Sequence, residues 1–389
     1  MTLLLAESFL HTLDPFAIEF PASWHSNPML PDGLRWYGLA YLAGFVVAWW
    51  LIHRMVKSGR SAVPVSAVGD FITAMILGVL IGGRLGYIAF YEQPLLWEFS
   101  RSFPFWGVLM INKGGMASHG GMIGVAIACW VFARRRRVPF LHLLDLTAFV
   151  TAPGFLFGRI ANFINAELWG RPIPPSMQAA PPWWSVKYPT QILERWLPVV
   201  ERGAQPDEHY AKLISRAAAD FSIHAPSAEL TGQVVNEAQH RLGVVLDQLS
   251  AVLPASETIL DDVVRIAGDA NAKAHGQVAE VLRPLLTAYY PSQLIQALAE
   301  GVILLGILVL IWVQPRKPGV IAAWFLIAYG MLRVATEQFR EPDTGVAVWL
   351  GLSRGQWLSA AMIVLGIVVL RICVKRDVKP LGGFRAPPA

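Results

Sequence analysis

The sequence predicts an all-α polytopic membrane protein of about seven transmembrane helices. The N-terminus is expected outside, the C-terminus in the cytoplasm, and a helical extracytoplasmic insertion between spans four and five. Three observations carry this expectation. Of the 389 residues, 54% are hydrophobic, and the mean hydropathy is +0.46. Several apolar runs reach about 20 residues, the length that crosses a hydrocarbon core. Basic clusters follow alternate runs, and Lys and Arg mark the cytoplasmic side.

Residues 1–35 read as an interfacial lead-in broken by Pro15, Pro21, Pro28 and Pro31. They lack a basic n-region and carry Glu7, Asp14 and Glu19, unlike a cleaved signal peptide. The first span runs from about Trp36 to Ile52, ahead of His53, Arg54, Lys57 and Arg60. The second, about Val65 to Tyr91, repeats Gly78, Gly82 and Gly86 every four residues, a ridge for close helix packing. The third covers about Gly114 to Ala133 and stops at four consecutive arginines, Arg134 to Arg137. The fourth runs from about His142 to Asn165, the fifth from Pro291 to Val313 before Arg316 and Lys317. The sixth covers about Gly319 to Gln338, and the seventh Gln356 to Ile372 before Lys375 and Arg376. The bundle therefore takes residues 36–173 and 289–373, with a cytoplasmic tail at 374–389.

Between spans four and five, residues 174–288 form a different region. A Pro- and Trp-rich loop leads to a polar, net acidic stretch at about 195–288, with Val234, Ala238, Leu242, Val245 and Leu249 at helical spacing. It is expected to fold as an independent outer domain that supplies no catalytic group. Tyr188-Pro-Thr-Gln resembles Tyr290-Pro-Ser-Gln, so the insertion is bracketed either by a short duplication or by a chance match.

The net charge of +5 is explained by basic cytoplasmic loops and does not call for nucleic acid. The two cysteines, Cys129 and Cys373, lie in or beside apolar spans without ligand spacing, which argues against a structural disulfide or a zinc site.

The end of span four is where chemistry gathers. Gly158 to Arg171 places Arg159, Asn162, Asn165, Glu167, Gly170 and Arg171 at the edge of an apolar helix. A charge at membrane depth costs at least a few kcal/mol, so such groups persist where they face a polar cavity. The bland alternative is a snorkelling arginine with polar caps. In span six, Tyr329, Arg333 and Glu337 recur at i, i+4 and i+8, followed by Arg340. A packing ion pair would explain Arg333 and Glu337 alone. Two intramembrane arginines on one cavity instead suit a phosphate, which a guanidinium fork binds bidentately. His119, in the glycine-rich stretch from Gly114 to Gly124, is either a core residue or a base beside a ligand. Arg84 either binds a lipid head-group or pairs with an acid, and Tyr37 is either an interfacial anchor or a catalyst. The residues by themselves point to an outward-opening cavity for a phosphate-bearing lipid. They do not specify a reaction.

These residues resemble the prolipoprotein diacylglyceryl transferase family. The resemblance rests on Arg35-Trp36-Tyr37-Gly38, Gly82-Gly83-Arg84-Leu85-Gly86-Tyr87, Gly114-Gly115-Met116 leading to His119-Gly120-Gly121, Gly158 to Arg171, Pro291-Ser-Gln-Leu294, and Arg333 with Glu337, Phe339-Arg340 and Pro342-Asp343. It implies transfer of a diacylglyceryl group from phosphatidylglycerol to the lipobox cysteine of a prolipoprotein, with glycerol 1-phosphate leaving. It implies residence in the bacterial inner membrane, a site toward the outer leaflet, and no metal or organic cofactor. At the matching positions Arg159, Arg333, His119 and Tyr37 are the expected catalytic residues. The resemblance further implies that Arg159 would bind phosphatidylglycerol, with Asn162, Asn165, Glu167, Gly170, Arg84, Tyr329, Glu337 and Arg340 as the other expected lipid-binding residues. The family commonly has glycine where Ala161 and Ala166 stand, histidine at Tyr290, Tyr-Glu at Ile295-Gln296 and proline at Phe149. The alternative function is a lipid or anionic-solute transporter with an arginine-lined cavity. No repeated halves with broken helices support it.

Overall fold

The computed structural model describes residues 7–21, 33–101, 104–110, 115–201, 208–222, 227–250, 282–341 and 353–385. Among them, six helices are long and apolar enough to cross a membrane: Trp36–Lys57 (α1), Val65–Phe90, Phe140–Ile164 (α4), Ser292–Ile311 (α7), Val320–Phe339 and Gly355–Lys375. The chain is a multi-pass helical membrane protein. The α-helical part of the second span is Val68–Phe90 (α2), that of the next-to-last Val320–Thr336 (α8), and the last helix begins at Arg354 (α9). The third expected span is present as a helix, Ser118–Arg136 (α3), but is not among the six. Ser118, His119 and its glycines at one end, and its arginines at the other, dilute a short apolar centre.

Two compact units divide the chain. One comprises Tyr41–Phe157, Glu300–Leu332 and Ser359–Ala389. Its core buries Phe71, Leu143, Leu146, Leu304, Trp312 and Ile321. The expected glycine ridge packs α2 on α3: a Cβ on Gly120 would collide with the carbonyl oxygen of Gly82, and one on Gly124 with that of Gly78. Backbones can approach this closely only where both faces lack side chains. The N-terminus of α8 is held by Asp145, whose carboxylate accepts from the amides of Gly319 (2.7 Å) and Ala322 (2.8 Å).

The other unit comprises Met1–Ala40, Gly158–Ala299 and Arg333–Leu358. Here the expectation of an all-α chain is incomplete. Phe9–Leu10 (β1), Val186–Lys187 (β4) and Ala288–Tyr289 (β5) form a small sheet in the order β1-β4-β5. β4 pairs antiparallel with β5 in the register Val186↔Tyr289 and Lys187↔Ala288. Phe16–Glu19 (β2) and Gly33–Arg35 (β3) pair antiparallel. Strands of two to four residues are too short to display an alternating pattern, so nothing in the sequence announced them.

The two similar segments now have a place, for Tyr188-Pro-Thr-Gln follows β4 directly and Tyr290-Pro-Ser-Gln follows β5. Each leads into a helix containing a π-turn, Ile192–Trp196 in one case and Ala297–Ile303 in the other. Duplication or chance produced the likeness; the antiparallel strands send the two segments out at opposite ends of the pair, and side-chain bonds such as Tyr188 to Gln293 (3.4 Å) link them.

Within the insertion, Glu208–Asp220 (α5) and Ser227–Ser250 (α6) are helical as expected. Ala217, Val234, Ala238 and Val245 are buried, but so are Leu10, Ile192, Trp196 and Leu286 in the same cluster. Apart from Leu10, these residues all lie within the 174–288 region, so the insertion's core takes in the N-terminal strand as well. Leu10 of β1 therefore joins the insertion's core to the N-terminal segment.

Replacing Gly120 by alanine is expected to destabilise the α2–α3 pair by about 1–3 kcal/mol, because backbone rather than a flexible side chain must yield. Gly69→Ala, where nothing lies within 4 Å of the added carbon, is the matched control and should leave stability nearly unchanged. Thermal unfolding in detergent distinguishes the two.

Candidate active site

Helix α4 ends in the stretch that carries most of the expected site. Arg159 is half-buried, one turn before Asn162, which is buried. The helix stops at Ile164, and the chain then turns with Ala166 (φ 52°) and Leu168 (φ 55°) in the left-handed region. That turn folds Glu167 back onto the helix. Its Oε2 accepts from the Asn162 side chain (3.2 Å), and its Oε1 from Asn165 (3.4 Å). A carboxylate thereby orients two carboxamides. Oδ1 of Asn165 is buried and has no hydrogen-bond partner among the described residues, so it stands available to a donor on a ligand.

The expected pair in the sixth span is also present. Nη2 of Arg333 lies 2.9 Å from Oε2 of Glu337, with both side chains about one-tenth exposed. Glu337 begins a 3-10 turn, Glu337–Phe339, and its Oε1 accepts from the hydroxyl of Ser353 (3.2 Å). The two stretches are fastened to each other by backbone. Gly170 bridges to Arg340, the amide of Arg171 donates to the Phe339 carbonyl (3.0 Å), and its Nε to that of Arg340 (2.8 Å). A side chain at Gly170 would strike the backbone of Tyr290 and Phe339. Its glycine is therefore a packing requirement as well as a candidate contact. The segment after β5 closes the same region: Gln293 donates to the Glu167 carbonyl (2.6 Å) and Ser292 to that of Leu168 (3.0 Å). Tyr290, at the position where the family commonly has histidine, stacks on Trp184 with centroids 5.4 Å apart.

Of the predicted residues, Tyr37, Arg159, Asn162, Asn165, Glu167, Gly170, Arg333, Glu337 and Arg340 therefore belong to one unit. Arg84, His119 and Tyr329 belong to the other. His119 is exposed in the first turn of α3. Arg84 is buried, and backbone carbonyls hold its guanidinium: Val108 through Nε (2.8 Å), Gly107 through Nη2 (2.5 Å) and Gly115 through Nη1 (3.2 Å). Neither a head-group nor an acid is needed to account for its burial. It ties the loop before α3 to the entry of the helix that carries His119. Tyr329 stacks against Phe155 (5.1 Å) and Phe325 (5.6 Å). Pro342 and Asp343, part of the sequence resemblance, lie outside the described residues.

Sequence reasoning passed over His11 and Arg195. Nε2 of His11 donates to the Phe163 carbonyl (2.7 Å), and its ring lies on Tyr188. Burial pushes its pKa below the ordinary value, in keeping with a neutral ring pinned to the end of α4. Arg195 is 4% exposed and bridges Asp220 and Glu341, each at 2.8 Å. Burial opposes its charge, but Tyr289, Asp220 and Glu341 more than compensate and raise its pKa above the ordinary value. The one available signal was its place directly after a repeated segment.

Comparison with known proteins bears on these observations. A family model described as prolipoprotein diacylglyceryl transferase matches residues 29–372. The chain belongs to the prolipoprotein diacylglyceryl transferase family. It is 40% identical over 388 residues to a Bdellovibrio bacteriovorus protein named phosphatidylglycerol–prolipoprotein diacylglyceryl transferase, covering 97% of each chain. Relatives of the same name are 33% identical in Neisseria gonorrhoeae, over 92% of this chain and 95% of the relative, and 33% in Ruegeria pomeroyi, over 86% and 88%.

The two alanines that stand where this family commonly has glycine differ in conformation. Ala166 holds a left-handed φ that costs a side chain about 1–2 kcal/mol, whereas Ala161 is a buried residue inside α4. Ala166→Gly should therefore stabilise the protein by up to about 1 kcal/mol, and Ala161→Gly should destabilise it by a similar amount. Melting of the two variants in detergent tests the contrast.

Proposed function

We propose that this protein transfers the diacylglyceryl group of phosphatidylglycerol to the lipobox cysteine of prolipoproteins, forming a thioether and releasing glycerol 1-phosphate. The observation that carries this reading is the 40% identity, over 97% of both chains, to a relative named for this activity. The polar groups at the ends of α4 and α8 supply a physical basis. In this reaction the cysteine sulfur attacks the terminal glyceryl carbon of the diacylglycerol moiety. The carbon–oxygen bond to phosphate breaks, and its electron pair leaves with glycerol 1-phosphate. The thiol proton passes to a base.

The charge that grows on the departing phosphate calls for fixed positive groups in a poorly solvated pocket. Arg159 and Arg333 fill that role in this reading. Arg333 arrives already oriented by Glu337, so little reorganisation is needed when the phosphate departs. Asn162 and Asn165, oriented by Glu167, donate to or accept from the head-group together with Arg340 and Gly170, and Tyr329 is assigned to lipid binding by the family resemblance alone. Arg84 positions the entry to α3. His119 takes the thiol proton and Tyr37 assists it. The chain lies in the bacterial inner membrane with about seven spans, the site toward the outer leaflet and the C-terminus in the cytoplasm. This orientation follows from the basic residues at the ends of spans one, three, five and seven.

Purified protein in phosphatidylglycerol vesicles should add the mass of a diacylglyceryl group to the cysteine of a synthetic lipobox peptide. Anion or lipid flux with no mass gain would replace this reading with a transporter. Arg159→Lys and Arg333→Lys keep charge but lose the fork, so each should lower kcat/KM at least about 100-fold, as removal of a single oxyanion donor does. Near-normal turnover with both arginines replaced by alanine is the result that sinks their assignment.

His119→Gln should slow transfer most near neutral pH and recover partly in alkali, where the free thiolate fraction rises. A pH-independent loss would assign His119 to positioning instead.

A further inference from the structure

Arg195 has no place in the reaction just described, yet it joins the stretches that carry its binding groups. The π-turn Ile192–Trp196 presents it, and such turns recur at functional sites. Its guanidinium carbon lies 4.5 Å from the ring centre of Trp169 and 5.2 Å from that of Tyr289. Nη1 donates to Oδ1 of Asp220 and Nη2 to Oε2 of Glu341. The same Asp220 oxygen accepts from the Tyr289 hydroxyl (2.6 Å), which in turn accepts from Gln191 (2.6 Å). The hydroxyl of Thr287 donates to the Asp220 carbonyl (3.2 Å).

The chain origins of these partners give the cluster its meaning. Trp169 belongs to the stretch after α4, three residues from Ala166 and next to Gly170. Glu341 follows Arg340, whose backbone is already bonded to Arg171. Asp220 is the last residue of α5, inside the insertion. One cation therefore fastens the Asn162–Arg171 stretch and the Arg333–Glu341 stretch to each other and to the insertion. A packing role alone would not call for a buried ion cluster, since apolar groups of similar volume often fill such sites as stably.

We propose that Arg195 is a positioning residue of the transferase. Through Trp169 and Glu341 it sets the spacing of the lipid-binding stretches, and through Asp220 it makes that spacing depend on the helical insertion. The inference rests on the function proposed above. It gives the insertion a part in phosphatidylglycerol binding rather than a detachable recruiting role.

The test compares the full chain with Arg195→Lys and Asp220→Asn, measuring transfer to the lipobox peptide over a range of phosphatidylglycerol concentrations. Lysine cannot bridge two carboxylates while lying flat on an indole. Arg195→Lys should raise the KM for phosphatidylglycerol about tenfold and Asp220→Asn several-fold, with kcat per folded enzyme changed less than about threefold. Loss of folded protein lowers Vmax and leaves KM unchanged, so a purely structural role predicts the opposite split and overturns the proposal.

Should either single variant fail to fold, the neutral triple variant Arg195→Met, Asp220→Asn, Glu341→Gln removes the buried charges together and is expected to fold. An unchanged KM in that variant also overturns the inference. Wild-type protein that fails to modify the peptide at all would instead overturn the proposed function. In that case phosphatidylglycerol affinity in nanodiscs, weaker in the variants if the inference holds and unchanged if it fails, still decides the role of Arg195.

Discussion

A guanidinium cannot be left bare in a poorly solvated interior, and the organisation of this protein follows from how each one is satisfied. Arg84 is met by three carbonyls, Arg333 by Glu337, and Arg195 by two carboxylates and two aromatic faces. Each solution draws on separate stretches of chain. An arginine that must collect partners in this way becomes a fastener, whatever else it does. Truncating one partner of such a cluster strands the others, typically at about 3–5 kcal/mol.

The constraint explains why irregular backbone gathers beside α4. A helix end leaves four carbonyls without intrahelical partners, and other donors must satisfy those that are buried. Here the end of α4 is finished by a left-handed turn, by Gln293 and Ser292 donating to the carbonyls of Glu167 and Leu168, and by His11 donating to that of Phe163. These donors come from the N-terminal strand and from the segment after β5. The elements that cap α4 are also those that hold Glu167 against Asn162 and Asn165. Capping and preorganisation are one arrangement.

The insertion takes its significance from the same economy of contacts. Its helices bury apolar side chains against Leu10, Ile192 and Trp196, and Asp220 enters the Arg195 cluster. A module added only to recruit a partner would keep its core to itself. The antiparallel strands β4 and β5 close the insertion's neck, and side chains of the two Tyr-Pro-(Thr/Ser)-Gln segments tie it further: Gln191 reaches Tyr289 of β5, and Tyr188 reaches Gln293. A likeness ambiguous in one dimension becomes a reinforced junction in three.

By itself the sequence determined what depends on composition and local period. Long apolar runs announced the membrane helices, small residues every fourth position announced a close-packed face on α2, though not its partner, and i, i+4 spacing announced the Arg333–Glu337 pair. The stretch from Gly158 to Arg171 stood out because so many polar groups at the end of an apolar run must face a shared polar cavity to escape the hydrocarbon. Local spacing could not reveal partners distant in the chain. Only the tertiary structure decided that carbonyls hold Arg84, that Ala166 occupies a left-handed turn, and that two-residue strands bracket the insertion. Arg195 is the clearest case, since it meets Trp169, Asp220, Tyr289 and Glu341 across gaps of 25 to 146 residues. An arginine in a polar, net acidic stretch reads as solvated until the fold removes the water around it.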